Sequence, residues 1–243
     1  MAVPVLVERG VVVANAAGAN AIAVAELTLA HLLNLDRRVS DQVETLRKGQ
    51  WRRLEFAKGP KGLYGRSLAV LGVGYIGREV IRRAAAFGMR VRAWSRSLTE
   101  EEAKELSADF CASPEAAVED ADALSVHLAL SEQTRGLVDD VLLSKLRPGA
   151  LVVNMSRGGI VDEAALLKAV EARGLRAGLD VFAKEPGSND TRFEDEAIMG
   201  TSGVYGTHHT GARTQQAAEA VEDAVVAAVD AYLEGRAIPG RLA

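Results

Sequence analysis

Only four histidines stand among the 243 residues, so few side chains can trade a proton near neutral pH: His31, His127, His208 and His209. His31 sits in an apolar helical stretch and reads as a core or interface residue, and His127, at the end of a strand, reads as a structural group. His208 and His209 follow the last strand in Gly206-Thr207-His208-His209-Thr210-Gly211, at the edge where open parallel sheets bind ligands. One of these two is the acid/base candidate. Arg157 follows Val152-Val153-Asn154-Met155-Ser156 and precedes Gly158-Gly159, a break that would leave its guanidinium facing a cleft. Asp180 and Glu185 flank Val181-Phe182-Ala183-Lys184 past another strand, where either could equally be a solvated loop acid. A cation for an anionic substrate, an imidazole to move a proton and a carboxylate to orient it form a set that fits hydride chemistry on a carbonyl.

A second group of residues points to what would carry the hydride. Gly72-Val73-Gly74-Tyr75-Ile76-Gly77 is a G-x-G-x-x-G directly after a strand and at the opening of a helix. The first glycine allows the tight turn, the second lets a pyrophosphate approach the backbone, and the third permits close helix–strand packing. The helix N-terminus adds unpaired N–H groups and positive potential, so Gly72, Gly74, Tyr75, Ile76 and Gly77 are the expected cofactor-binding set. At the end of the next strand, where an acid would accept hydrogen bonds from the adenosine ribose of NAD, the chain has Ser95, Arg96 and Ser97. A guanidinium flanked by two hydroxyls suits a 2'-phosphate, which favours NADP over NAD. The alternative is that Arg96 is a solvated charge stacking on adenine. Glu100 and Glu101 lie too far along to replace the missing acid.

These groups need a scaffold, and short apolar, largely β-branched runs alternate with helical patterns as in a parallel α/β sheet. Strands are predicted at Leu68–Leu71, Arg90–Trp94, Asp109–Cys111, Ala123–Leu128, Ala150–Asn154, Ala177–Phe182 and Val204–Thr207, with a short one at Val11–Ala14. Ile76, Val80, Ala84 and Phe87 mark an amphipathic helix that Gly88 closes. Ser113-Pro114-Glu115 opens another, and Asp162 with Glu163 opens one that Gly174 ends. Residues 21–48 read as one long, nearly all-round apolar helix that demands burial on more than one side, between domains and across a subunit interface. Thr214–Leu233 reads as a second long helix, followed by an extended tail.

Composition narrows the partners. With 48% hydrophobic residues, 26% charged and a net charge of −4, the chain has ample core material and no global pull toward nucleic acid or an anionic membrane. One cysteine, Cys111, excludes an internal disulfide, and no leader or membrane span is read, so a reducing cytoplasm is the expected compartment. No metal site is expected.

Three runs carry a family resemblance: Asn154 to Glu163, Gly178 to Pro186, and His209-Thr210-Gly211-Ala212-Arg213-Thr214. They resemble the catalytic-core signatures of the D-isomer-specific 2-hydroxyacid dehydrogenases, and Arg9 to Asn15 and Val24-Ala25-Glu26-Leu27 extend the likeness over almost the whole chain. The resemblance implies an α/β, Rossmann-like doubly wound parallel sheet with only a remnant of a flavodoxin-like substrate domain. Residues 1–20 would be that remnant, 21–213 the NAD(P)-binding domain, and 214–243 a helix and tail returning toward the substrate domain. It implies that Arg157 binds the substrate carboxylate and 2-oxo group, Glu185 pairs with the imidazole, His209 gives or takes the proton, and Asp180 lies near the nicotinamide. It further implies a small 2-hydroxy or 2-oxo acid as substrate, and a homodimer. The family's usual proline is replaced by His208, and Glu185 stands where the related formate dehydrogenases have Gln. The chain opens near where the family's substrate domain hands over to the cofactor domain, so it resembles a fragment or an alternative start. Alternatives are therefore cofactor binding without turnover and a nucleotide-sensing, corepressor-like protein.

Overall fold

The computed structural model describes residues 3–187 and 190–242. All seven predicted strands between residues 67 and 207 are present: β1 Ser67–Leu71, β2 Arg90–Trp94, β3 Asp109–Phe110, β4 Ala123–Val126, β5 Leu151–Asn154, β6 Arg176–Leu179 and β7 Val204–Gly206. They form one parallel sheet in the order β3-β2-β1-β4-β5-β6-β7. The order reverses between β1 and β4, and the crevice at such a reversal, beyond the carboxyl ends of the strands, is where a nucleotide is bound in doubly wound sheets.

In the central strands β1, β4 and β5 alternate residues feed opposite cores, which is why those runs are buried throughout and largely apolar. Leu68, Val70, Val91, Ala93, Leu151 and Val153 pack with α2 (Ala21–Arg37), α5 (Tyr75–Ala86) and α6 (Glu100–Glu105). Ala69, Leu71, Leu124, Val126, Val152, Ala177 and Leu179 pack with α7 (Pro114–Val118), α8 (Asp140–Ser144), α9 (Glu163–Arg173) and α10 (Glu196–Gly200). The remaining helices are α1 (Val3–Glu8), α3 (Val39–Arg47), α4 (Arg53–Phe56) and α11 (Gln215–Leu233).

The capping signals act where they were read. Ser113 accepts from Ala116 N, Asp162 from Ala165 N, and Gly174 closes α9 in the left-handed region. The amphipathic stripe of α5 buries Val80, Ile81 and Ala84, while Phe87 lies beyond the last turn and is exposed.

Three readings are corrected. The single helix over 21–48 is two helices, because Arg38 adopts φ +54 and caps α2 by donating to Asn34 O. Asn34 Oδ1 then accepts from Ser40 N and Oγ, and Arg38 Nε donates to Asp41, so polar side chains stitch the break just where the apolar run ends at Leu35. Only α2 is buried on several sides; α3 has no buried residue. The strand at Val11–Ala14 reduces to one antiparallel bridge, Ala14 to Arg241, with Leu242 N donating to Val13 O and Asn15 N to Gly240 O. The tail is accordingly turned at Ile238–Arg241 rather than extended throughout. No helix among the described residues is long and apolar enough to cross a membrane.

Candidate active site

The glycine loop is built by close backbone approach. A Cβ on Gly77 would stand 2.0 Å from the Gly72 carbonyl oxygen, and Gly72 itself has φ +100 and lies against the His127 carbonyl. Gly74, the N-cap of α5, has no side-chain cap and nothing within 4 Å of where its Cβ would be. The first N–H groups of α5 therefore face open space with no acid in the first turn, an arrangement suited to a pyrophosphate. Tyr75 is exposed with its ring against Gly18, and Ile76 is half-buried. Past β2, Leu98 N bonds to Ser95 O in a tight turn that leaves Arg96 and Ser97 exposed. Arg96 makes no ion pair among the described residues, whereas Glu102, the acid nearest in α6 to a basic partner, pairs with Arg78 at 2.7 Å. These residues fit a dinucleotide: a bare cradle, a helix N-terminus and a cation at the end of β2.

At the end of β5 the Asn154 side chain shapes the turn that projects Arg157. Its Oδ1 accepts from Ser156 N (3.1 Å) and Ser156 Oγ (2.7 Å), and its Nδ2 donates to Arg157 O (3.1 Å). Gly158 is held against the next loop, since a Cβ there would meet the Phe182 carbonyl carbon at 2.0 Å. Arg157 is exposed and has no carboxylate partner among the described residues; its Nη1 donates to Ser156 O.

The loop after β6 carries Glu185, whose Oε1 accepts from Phe182 N at 3.0 Å. Ala183 N donates to Glu163 Oε1 at 2.7 Å, and burial pushes the Glu163 carboxyl up. Glu185 Oε2 lies 2.8 Å from His209 Nδ1, with the two side chains 32% and 44% exposed. A carboxylate only accepts, so Nδ1 carries a proton and Nε2 is the atom left toward the cleft. His209 holds φ +53, a left-handed conformation uncommon outside glycine.

Asp180 is 3% exposed, and both its oxygens serve the loop after β7. Oδ1 accepts from Thr207 Oγ1 (2.6 Å) and Thr210 N (3.0 Å), and Oδ2 from Gly211 N (2.9 Å). The family resemblance implies that Asp180 lies near the nicotinamide; the geometry adds that it shapes the turn around His209.

A cleft of about 1650 Å³ is bordered by Arg157, Asp180, Glu185, His208 and His209, and reaches Ile76. The rest of the glycine loop and Ser95–Ser97 lie outside its lining. Sequence reading missed Asn20, the N-cap of α2, whose side chain makes no cap bond and which borders this cleft. Its signal was an Asn directly before an apolar helical run. Of the two remaining histidines His31 is buried and His127 is half-buried. His31 Nε2 lies 3.1 Å from Thr207 Oγ1, and burial lowers its pKa against the pull of Asp180. His127 Nε2 lies 2.7 Å from Ser125 Oγ, its Nδ1 has no partner among the described residues, and burial lowers its pKa to about 3.

Residues 29–211 match the family model described as "D-isomer specific 2-hydroxyacid dehydrogenase, NAD binding domain". The chain is 34% identical to D-3-phosphoglycerate dehydrogenase of Methanocaldococcus jannaschii over 94% of its own length and 42% of that protein's. It is 32% identical to glyoxylate reductase of Thermococcus litoralis, over 96% of this chain and 70% of that one. The apo structure of Rhodotorula graminis D-mandelate dehydrogenase superposes with a TM-score of 0.91 at 26% identity, covering 100% of this chain and 71% of that one. The chain thus spans less than half the length of the phosphoglycerate dehydrogenases it matches.

Proposed function

The chain belongs to the D-isomer specific 2-hydroxyacid dehydrogenase family by its NAD-binding domain, and from that premise we propose that it is the cofactor-binding and proton-handling part of an oxidoreductase acting on a small 2-hydroxy or 2-oxo acid. The observation that carries this reading is the 2.8 Å pairing of Glu185 with His209 on the cleft that Arg157 also borders.

When bound, the nicotinamide supplies or takes the hydride at the substrate's C2. Gly72, Gly74, Tyr75, Ile76 and Gly77 would hold the pyrophosphate end, and Ser95, Arg96 and Ser97 the adenosine ribose. The bare Arg96 and the engagement of Glu102 with Arg78 support NADP over NAD. Arg157, with no competing carboxylate among the described residues, would anchor the substrate carboxylate in a bidentate pair and draw charge from the 2-oxo group. His209 exchanges a proton with the 2-oxygen through Nε2, and Glu185 fixes the ring's orientation and offsets its charge when doubly protonated. Asp180 would lie near the nicotinamide, and it holds the His209 turn through Thr207, Thr210 and Gly211.

The domain division follows from the same reading: residues 1–20 as the remnant of a substrate domain, 21–213 as the cofactor domain, and 214–243 as the returning helix and tail. A cytoplasmic homodimer is also part of it. Val39, Val43 and Leu46 form an exposed stripe on α3, with Trp51 and Leu54 exposed beside it, apolar surface suited to a second copy.

The test is oxidation of NADPH and NADH with glyoxylate, hydroxypyruvate and 3-phosphohydroxypyruvate, run alongside cofactor titration. Turnover lost in Arg157→Ala and His209→Ala with cofactor affinity kept supports the proposal. Cofactor binding without turnover in the wild-type chain supports the reading of a binding fragment, and neither binding nor turnover refutes both.

A further inference from the structure

Resting on the reading of His209 as the proton-handling group, we infer that His31, buried in α2, is a positioning residue that sets the His209 turn through Thr207 and Asp180. Its ring is 4% exposed and is absent from the lining of the cleft, so it reaches substrate or cofactor only through other residues. It stands on the helix face that also buries Val24, Thr28 and Leu35, and Thr28 spends its hydroxyl on Val24 O, which leaves His31 as the group on that face that reaches another element through a side-chain hydrogen bond. The neighbouring strand makes room for it: a Cβ on Gly178 would stand 2.7 Å from Nδ1 and 2.9 Å from Cγ.

Donor bookkeeping gives the relay a direction. The Asp180 carboxylate only accepts, so the single Thr207 hydroxyl proton goes to Oδ1 at 2.6 Å. Thr207 Oγ1 must then accept its other bond, and the donor 3.1 Å away is His31 Nε2. His31 therefore carries a proton on Nε2, and burial, which lowers its pKa, favours the neutral ring with Nδ1 bare. With Thr207 fixed, Asp180 keeps its remaining lone pairs aimed at Thr210 N and Gly211 N. Together with the Thr207 bond before it, these bonds after it clamp the chain around His209, whose left-handed backbone would otherwise relax. Thr207 lies 176 residues from His31 in sequence, so the first helix of the sheet's core reports directly on the catalytic turn.

Long-range nitrogen–proton NMR of the uniformly labelled full chain reads the tautomer directly, and should show His31 protonated on Nε2 and bare on Nδ1 at neutral pH. His31→Leu should raise amide exchange at Thr210 and Gly211 by about tenfold or more, and His31→Gln, which restores an N–H near the same place, should return it toward wild type. Thr207→Val and Thr207→Ser should behave as the matching pair. In turnover, His31→Leu should lower kcat by about 10- to 100-fold with cofactor Kd unchanged, the size expected of a misplaced catalytic group. An Nδ1–H tautomer in the wild type, or unchanged exchange at Thr210 and Gly211 in a folded His31→Leu, overturns the relay. The tautomer and exchange readings need no turnover. A failure of the catalytic reading would thus appear as an inactive chain with the relay intact, and a failure of the relay as a lost tautomer.

Discussion

Alanine at Gly74 and at Gly77 should separate the two jobs of the glycine loop. At Gly77 the new Cβ would lie 2.0 Å from the Gly72 carbonyl oxygen, whereas a relaxed C···O contact is about 3.3 Å, so the two must part by roughly 1.3 Å. Gly72 cannot retreat, because it is packed against the His127 backbone, where a Cβ would meet His127 O at 2.6 Å. The first turn of α5 must therefore lift from the sheet, an overpacking cost of about 1–3 kcal/mol. For a chain of this size that corresponds to a Tm loss of about 2–12 °C. At Gly74 the backbone is at φ −82 and ψ −159, open to any L-residue, and nothing lies within 4 Å of the added methyl. The fold should change by no more than about 1 kcal/mol there. The methyl would nevertheless occupy the approach to the helix N-terminus and weaken the cofactor at least about tenfold, roughly 1.4 kcal/mol. Thermal unfolding paired with NADPH and NADH fluorescence titration reads both quantities. Wild-type affinity in Gly74→Ala would refute the cradle, and a wild-type Tm in Gly77→Ala would refute the packing argument.

Glu185→Gln cannot satisfy both Phe182 N and His209 Nδ1–H as acceptors, so kcat should fall by about 10²- to 10⁴-fold. The pair is a third or more exposed, so calorimetry should find stability within about 1 kcal/mol of wild type. Arg96→Asp should raise the NADPH Kd at least about tenfold and leave that of NADH within about threefold, measured by the same titration. His127 stays neutral in the fold down to about pH 3 while the unfolded chain protonates it near 6.5, so the unfolded state binds the extra proton. Folding stability should therefore fall with acidity between those values, by up to about 1.4 kcal/mol per pH unit, and urea titrations should show His127→Gln flattening that acid limb. An unaltered pH dependence in that variant would count against a neutral His127 ring in the fold.

Local signals carried much of this architecture. The central strands β1, β4 and β5 stand out as short, largely apolar runs, and Ser113, Asp162 and Gly174 marked helix ends because caps act within a few residues. The break at Arg38 was hidden because its causes are side-chain bonds from Asn34, Ser40 and Asp41 at the end of an apolar stretch, which a periodicity count ignores. Short helices such as α8 and α10 carry too few turns to show a period. In the site, the Glu185–His209 contact was expected from the family resemblance. The binding of Asp180 by Thr207, Thr210 and Gly211 was not, because such bonds join loops whose approach only the folded sheet determines.

The bridge between Ala14 and Arg241 bears on how this polypeptide could be rewired. Since Val13 and Leu242 are hydrogen-bonded neighbours, a few-residue linker would join them without spanning any distance, and new ends could be opened at the exposed stretch around Gly49. A permuted chain that still melts cooperatively would mean that the seven-stranded sheet is indifferent to where translation starts.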